Sequence, residues 1–572
     1  MEQRTTGPSG APGGAPTMGN PITSINYSGA TTFSEDGEYS GTSYESTTGA
    51  QNALLVSGGV IDLVNATVVK SGDDNGGDES DFYGTNAAIL VYNGATLNMN
   101  GGTVQTNGGH ANAVFAYGTG VVNISGTTIE TSSNNSGGIM VAGGGTISAD
   151  ALTVETSGNS AAAIRSDRGG GEISVTGGTY ITHGVGSPAI YSTADIKVTE
   201  STLSSTTSEG VVIEGMNSVS LDSVNMTVTN NQNNGHSETF KSIFIYQSMS
   251  GDATEGMGTF TAEDSIITTN SGDHFFVTNT TAEINLIGNK FVQNDKNGAF
   301  LRAQAGYWGN AGANGGVVNL NAEDQNIIGD IVTDNISTVT LDLKHSYLKG
   351  AFTGNGTVNL NLSEDSIVVL TEDSNITSLS NGDANNLNIY ANGYKLYVSG
   401  EEVSINQSEA PVSFLADSQK TNCIGSTGTN CIQPVVKDTT AAQSTFPVWG
   451  YFAIGGGIII VVALIILAIV KMKRKKGGPT LVQPTQPAPI ASTPESPVDL
   501  STTPATSEVS EVPEVSETPS TPDNSDTTNE TTMPEQPEQS MPESSNPAPE
   551  NPEVKTEDTD KKDDFPPAEG II

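Results

Sequence analysis

Basic residues are scarce in this chain of 572: 22 Lys and Arg stand against 64 Asp and Glu, a formal charge of −42. Nucleic-acid recognition needs a positive footprint, so that partner class is excluded. Adsorption to anionic lipid is disfavoured for the same reason. Aromatic residues make up 6 % of the chain, with two tryptophans, Trp308 and Trp449. That is too few for a thick helix-packed core and suits thin strands and tight turns. Two cysteines, Cys423 and Cys431, and five histidines leave no set in structural-zinc spacing. In an exported chain Cys423 and Cys431 would close a small disulfide loop; the other reading is two thiols in a flexible stalk. An apolar stretch near the start is also lacking, because Met1-Glu2-Gln3-Arg4 runs into a Gly/Pro-rich segment. The expected export signal is thus missing from this chain.

What is present is a period. Between Ile89 and Val219 an apolar triplet, a Gly-rich turn, an alternating stretch and a Thr-ended stretch recur every 23 to 26 residues. One apolar column runs Leu97, Val122, Ile147, Ile173, Ile196, Val219. Its partner two residues on runs Met99, Ile124, Ala149, Val175, Val198, Leu221, so the two share one face of a strand. A third column is Val104, Ile129, Val154, Tyr180, Leu203, Met226, and a fourth is Ile89, Val114, Ile139, Ile164, Ile190, Ile213. Three in-register stretches per repeat make each repeat one coil of three short strands that buries its apolar residues only against a neighbour. The period continues less regularly through Phe260-Thr261-Ala262, Ile284-Asn285-Leu286, Val318-Asn319-Leu320 and Val358-Asn359-Leu360.

On these columns the chain resembles the right-handed parallel β-helix repeat proteins, the pectate-lyase-like architecture found in bacterial polysaccharide enzymes and surface adhesins. The resemblance covers roughly residues 39–406. It implies an all-β, right-handed solenoid, a handedness that the crossover rule for parallel strands also favours. At about 4.8 Å per coil, thirteen or fourteen coils would stack to roughly 60–70 Å.

From 448 to 470 no residue is charged, a run long enough for about 34 Å of helix and therefore for a transmembrane span. Trp449 and Tyr451 stand at its entry as interfacial aromatics, and Lys471, Lys473, Arg474, Lys475 and Lys476 crowd its exit. This basic cluster orients the exit inward, placing the solenoid outside a cell membrane and residues 471–572 in the cytoplasm. The expected organisation is a flexible segment 1–38, the β-helix 39–406, a stalk 407–447, the span 448–470 and a tail 471–572. The tail holds most of the 26 prolines and few apolar residues, so it is expected to be disordered, its partner unknown.

Chemistry is sought in the interruptions of the repeat. The run 73–81 carries Asp73, Asp74, Asp78 and Asp81, whose hard oxygens would suit Ca²⁺; otherwise it is a solvated loop, and no other cofactor is expected. The Gly-rich insertion around Tyr307 and Trp308 would stack on a sugar ring, with Phe244, Tyr246 and Gln247 as a companion surface. The plain alternative is a loop packed on the solenoid by its aromatics. Asp167 with Arg168, beside Arg165, reads as a surface ion pair, because neighbouring coils offer no matching basic group. Glu130 stacks on Glu155 beside Gln105 in an outward column. The expected function is adhesin-like contact with a glycan or surface protein, or an envelope-structural role. A membrane-tethered polysaccharide lyase or hydrolase is the competing class, and no catalytic residues are assigned.

Overall fold

Alternation of inward apolar and outward polar residues over three to eight positions, broken by turn residues, dictates short strands with one buried face. The computed structural model shows them. It describes residues 25–74, 77–234 and 239–415, with the dipeptides 421–422 and 431–432. The strands stack in parallel into a β-solenoid: a 13-stranded sheet forms the first face, and a 22-stranded sheet supplies the second and third faces of most coils. A four-stranded sheet takes over the third face in the last coils. Among the described residues the one antiparallel pairing is the closing hairpin of Leu396–Val398 with Glu401–Glu402. One short helix, Asp78–Tyr83, interrupts the strands.

The first three apolar columns pair in register throughout, from Leu97 opposite Val122 to Leu203 opposite Met226. The fourth holds to Ile190 and then slips by two: Ile190 pairs with Val211, and Ile213 with Ser192. A two-residue slip keeps every side chain on its face, so apolar columns alone do not distinguish the two registers. The same slip places Ile284 opposite Leu320 and Val318 opposite Ala282. A further coil at Val339-Thr340-Leu341 lies between those of Val318 and Val358. The first strand, Gly29–Phe33, begins ahead of Tyr39.

The Thr residues that end the repeats are buried, and two of them close a turn, while Thr106 Oγ1 and Thr182 Oγ1 have no hydrogen-bond partner among the described residues. Thr106, Thr131, Thr156, Thr182 and Ser205 stack in register. Thr131 Oγ1 donates to the Ser136 carbonyl at 2.6 Å, and Thr156 Oγ1 to that of Ala161 at 2.5 Å, closing the turn to the next coil. The inward columns themselves are apolar, although polar side chains such as Asn52, Ser242 and His274 are also buried. Tyr180, Phe260, Phe275, Phe300 and Phe352 are fully buried, and the Phe275 ring lies 5.5 Å from those of Phe260 and Phe300. Each such side chain contributes about 1.5–3 kcal/mol by burial.

The corner between the second and third faces is one residue in the left-handed region: Asn65, Gly126, Ala151, Glu200, Ser223, Asp264 and Asp324 occupy it with φ of 48–56°. Its N–H continues the ladder, as from Ala151 to the Thr176 carbonyl at 2.8 Å and from Glu200 to that of Asp222 at 2.9 Å. Asn and Gly adopt this conformation readily, whereas Ala and Glu are strained there.

Residues 1–24 lie outside the described residues, as do the run 448–470 with Trp449 and Tyr451, the cluster Lys471, Lys473, Arg474, Lys475 and Lys476, and the tail. Among the described residues no helix is long and apolar enough to cross a membrane. Cys431 begins a two-residue strand beside Thr421–Asn422, while Cys423 lies outside the described residues. Of the two compact units of the chain, Met1–Ala468 and Ile469–Ile572, the second is wholly outside them.

Glu200→Gly should stabilise the solenoid by about 0.5–1 kcal/mol, the left-handed strain relieved less the greater freedom of unfolded glycine. A urea midpoint unchanged or lower than wild type would contradict the corner analysis.

Candidate functional site

On the first face, strand alternation turns one column outward: Arg165, Tyr191, Val212, Phe244, Phe276 and Arg302 lie side by side in register. Glu214 and Tyr246 form the neighbouring outward column. Two insertions, around 247–256 and 304–315, lie beside this surface. Phe244 and Tyr246 stack with ring centroids 4.4 Å apart, and Trp308 tilts onto Tyr246 at 5.8 Å. Tyr307 meets Trp308 edge-on at 5.1 Å and is 53 % exposed. The structure therefore brings together the two aromatic segments that are 60 residues apart in sequence.

Their roles differ. Tyr246 and Gln247 are buried, and the Tyr246 hydroxyl donates inward to Glu214 at 3.1 Å. Gln247 gives its carbonyl to Asn279 Nδ2 at 2.8 Å. Asn314 ties the second insertion down, donating to the carbonyls of Gly306 and Trp308, both at 2.9 Å. What meets solvent is an aromatic ledge of Tyr307 with parts of Trp308 and Phe244. Lys241 lies over Phe244, its ammonium 4.4 Å from the ring centre, and pairs with Glu209 at 3.4 Å.

Beneath the ledge lies a buried polar network that the sequence did not reveal. Glu214, 1 % exposed, accepts hydrogen bonds from the hydroxyls of Tyr191, Tyr246 and Ser248. The Arg165–Asp167 pair is also buried, at 3.0 Å, which corrects the expectation of a surface ion pair. Arg168 reaches instead to Asp252 at 2.8 Å and lies over the Phe82 ring at 3.9 Å. Asp252 is 84 residues away in an insertion, so no local spacing signals it. Burial pushes Asp167 up to about 6, against the pull of Arg165. It raises Glu214 too, opposed by its hydroxyl donors. Tyr191 and Tyr246 are held neutral by burial and by the adjacent Glu214 carboxylate.

The acidic loop spreads its carboxylates over separate partners. Asp73 accepts the Gly109 N–H at 2.8 Å, Asp74 the Ser80 hydroxyl, and Asp81 pairs with His110 at 2.7 Å. Asp78 opens the helix Asp78–Tyr83. Among the described residues no three His, Cys, Asp or Glu converge as a metal-ligand set. On the third face Glu130 stands opposite Glu155, and each is held from its far side, by Gln105 Nε2 at 2.9 Å and by His183 Nε2 at 3.0 Å. Gln105, Glu130 and Glu155 line a shallow groove of about 440 Å³ with Asn107, Ser132 and Ser157.

Comparison of the chain with protein-family models, curated proteins and solved structures finds no match in any of the three.

A carboxyl whose folded-state pKa is raised keeps its proton where the unfolded chain has lost it, so its stabilisation is complete below pH about 4 and fades as pH rises through 6. Asp167→Asn should flatten the decline in stability between pH 4 and 7. Denaturation curves that keep the wild-type pH slope would show that Asp167 does not titrate in this window.

Proposed function

We propose that the chain is a membrane-anchored, extracellular solenoid of the right-handed β-helix type, with adhesin-like binding of a glycan at the Tyr307–Trp308 ledge. The observation that carries the binding part is the exposed Tyr307 beside a Trp308 seated on the Phe244–Tyr246 stack. Exposed rings fixed from below lose little freedom on stacking against a sugar, and Gln304 and Asn310 flank them in the same insertion as polar groups. Anchorage and direction are supported by the uncharged run 448–470 and the basic cluster after it.

The enzyme reading has one observation in its favour, since Asp167, Glu214, Asp252, Arg165 and Arg168 gather on one sheet face. Asp167 and Glu214 are sealed from solvent, and each carboxylate is already engaged by protein donors. Display and contact therefore stand ahead of catalysis.

Two measurements test the proposal. In intact cells a membrane-impermeant amine reagent should label the exposed Lys296 and Lys395 and spare Lys471, Lys473, Lys475 and Lys476; the reverse pattern would overturn the orientation. On a glycan array the purified full chain in detergent should bind, and Tyr307→Ala or Trp308→Ala should weaken binding about tenfold, the loss of one stacking contact. Wild-type silence, or binding unchanged in both variants, would remove the ledge as a glycan site.

A further inference from the structure

A groove larger than that of the third face lies on the outer side of the second face in the most regular coils. Asp62, Asn98, Asn123, Ser148 and Ser174 stack there in register on five successive coils. Beside them run Val64, Asn100, Ser125, Asp150 and Thr176, and together the two columns line a groove of about 670 Å³. That volume is typical of ligand sites.

The groove is chemically ordered. Asn98 Nδ2 donates to Asp62 Oδ1 at 2.7 Å, and Asn123 Nδ2 donates to Asn98 Oδ1 at 2.8 Å. An amide carries two N–H donors, so each Asn keeps one for a ligand. The chain of amides points one way and ends on the Asn123 carbonyl. Beyond it come the hydroxyls of Ser148 and Ser174, with Ser148 fully outward and exposed. Uncharged donors and acceptors thus repeat at the strand spacing of about 4.8 Å, close to the advance of one sugar unit along an extended chain. The carboxylates of the lining are Asp62 and Asp150. No basic group and no aromatic ring lines it, although Lys197 stands one coil beyond Ser174 in the same column. An extended peptide finds no free edge, because every strand here is paired on both sides.

We propose that this groove binds an uncharged oligosaccharide, laid across the coils with about one sugar per coil, as a site separate from the aromatic ledge. The amides and hydroxyls grip the sugar hydroxyls, and Val64, 43 % exposed, gives the less polar ring face a contact.

The test is titration calorimetry of the full chain in detergent with neutral hexasaccharides of glucose, mannose, xylose and N-acetylglucosamine, and with hexagalacturonate as the charged control. One neutral hexasaccharide should bind, with affinity unchanged by salt. Asn98→Ala with Asn123→Ala should weaken it at least about tenfold, since two or more hydrogen bonds are lost. Ser148→Trp should block the groove while leaving the buried interior intact, as a wild-type thermal midpoint would show. Trp308→Ala should leave this binding unchanged, which separates the groove from the ledge. The proposal is overturned if no neutral hexasaccharide binds, if hexagalacturonate binds more tightly, or if Ser148→Trp binds as wild type does.

Discussion

Everything in this protein depends on the lateral pairing of one coil with the next. A single coil has short strands, most of three to eight residues, and no partner for its outward-running backbone groups. Stacked in parallel, each N–H and C=O finds its mate one repeat away, and each inward Val, Ile or Leu lands on its equivalent in the next coil. The hydrogen-bond ladder and the apolar columns are thus one constraint. The one-residue corners and the turn-closing hydroxyls of Thr131 and Thr156 serve it by fixing the turns between strands.

That regularity leaves the outer faces free to vary. On the first face, insertions cover the sheet and turn outward positions into buried ones. Glu214, Asp167 and Arg165 sit where a bare solenoid would have exposed polar residues, and they remain polar because each has partners. Removing Asp167 would leave the buried Arg165 charge uncompensated, a far larger loss than that of a surface pair. On the second and third faces of the regular coils the same outward columns form shallow polar grooves, while in the last coils residues 411–415 lie against the third face, Tyr347 donating to the Pro411 carbonyl at 3.0 Å and Ser413 to Asn326 Oδ1 at 2.7 Å. One scaffold therefore presents an aromatic ledge over a sealed charged layer and, around the corner, open surfaces of amides and carboxylates.

The columns were legible because a buried strand face repeats with period two and a coil with a nearly constant length, and both leave marks on a linear string. Where the period broke, legibility fell with it. Ile213 was assigned opposite Ile190 because Val211 and Ile213 are equally apolar and both point inward. The two aromatic segments stand out in the sequence as interruptions of the repeat, which says nothing of how their rings meet. Their division of labour, with Tyr246 and Gln247 underneath and Tyr307 on top, follows from the tilt of an insertion that no pattern encodes. Asp252 was invisible as the partner of Arg168, since nothing in a Ser/Gly-rich stretch distinguishes it from a solvated carboxylate.

By itself the sequence determined an all-β parallel solenoid, its inward columns and the stretches where the repeat is interrupted. These rest on periodicity and chemical type, which survive without coordinates. Only the tertiary structure decided the register past Ile190, the burial of the Arg165–Asp167 pair and the convergence of Glu214 with two tyrosines from adjacent coils. It alone also showed that the regular coils, so uneventful as a string, are concave. Apart from the Arg165–Asp167 contact, whose burial depends on its surroundings, the register and the Glu214–tyrosine contacts join residues 21 to 32 apart, and such relations depend on how loops fold back over a sheet, which local chemistry constrains but does not specify.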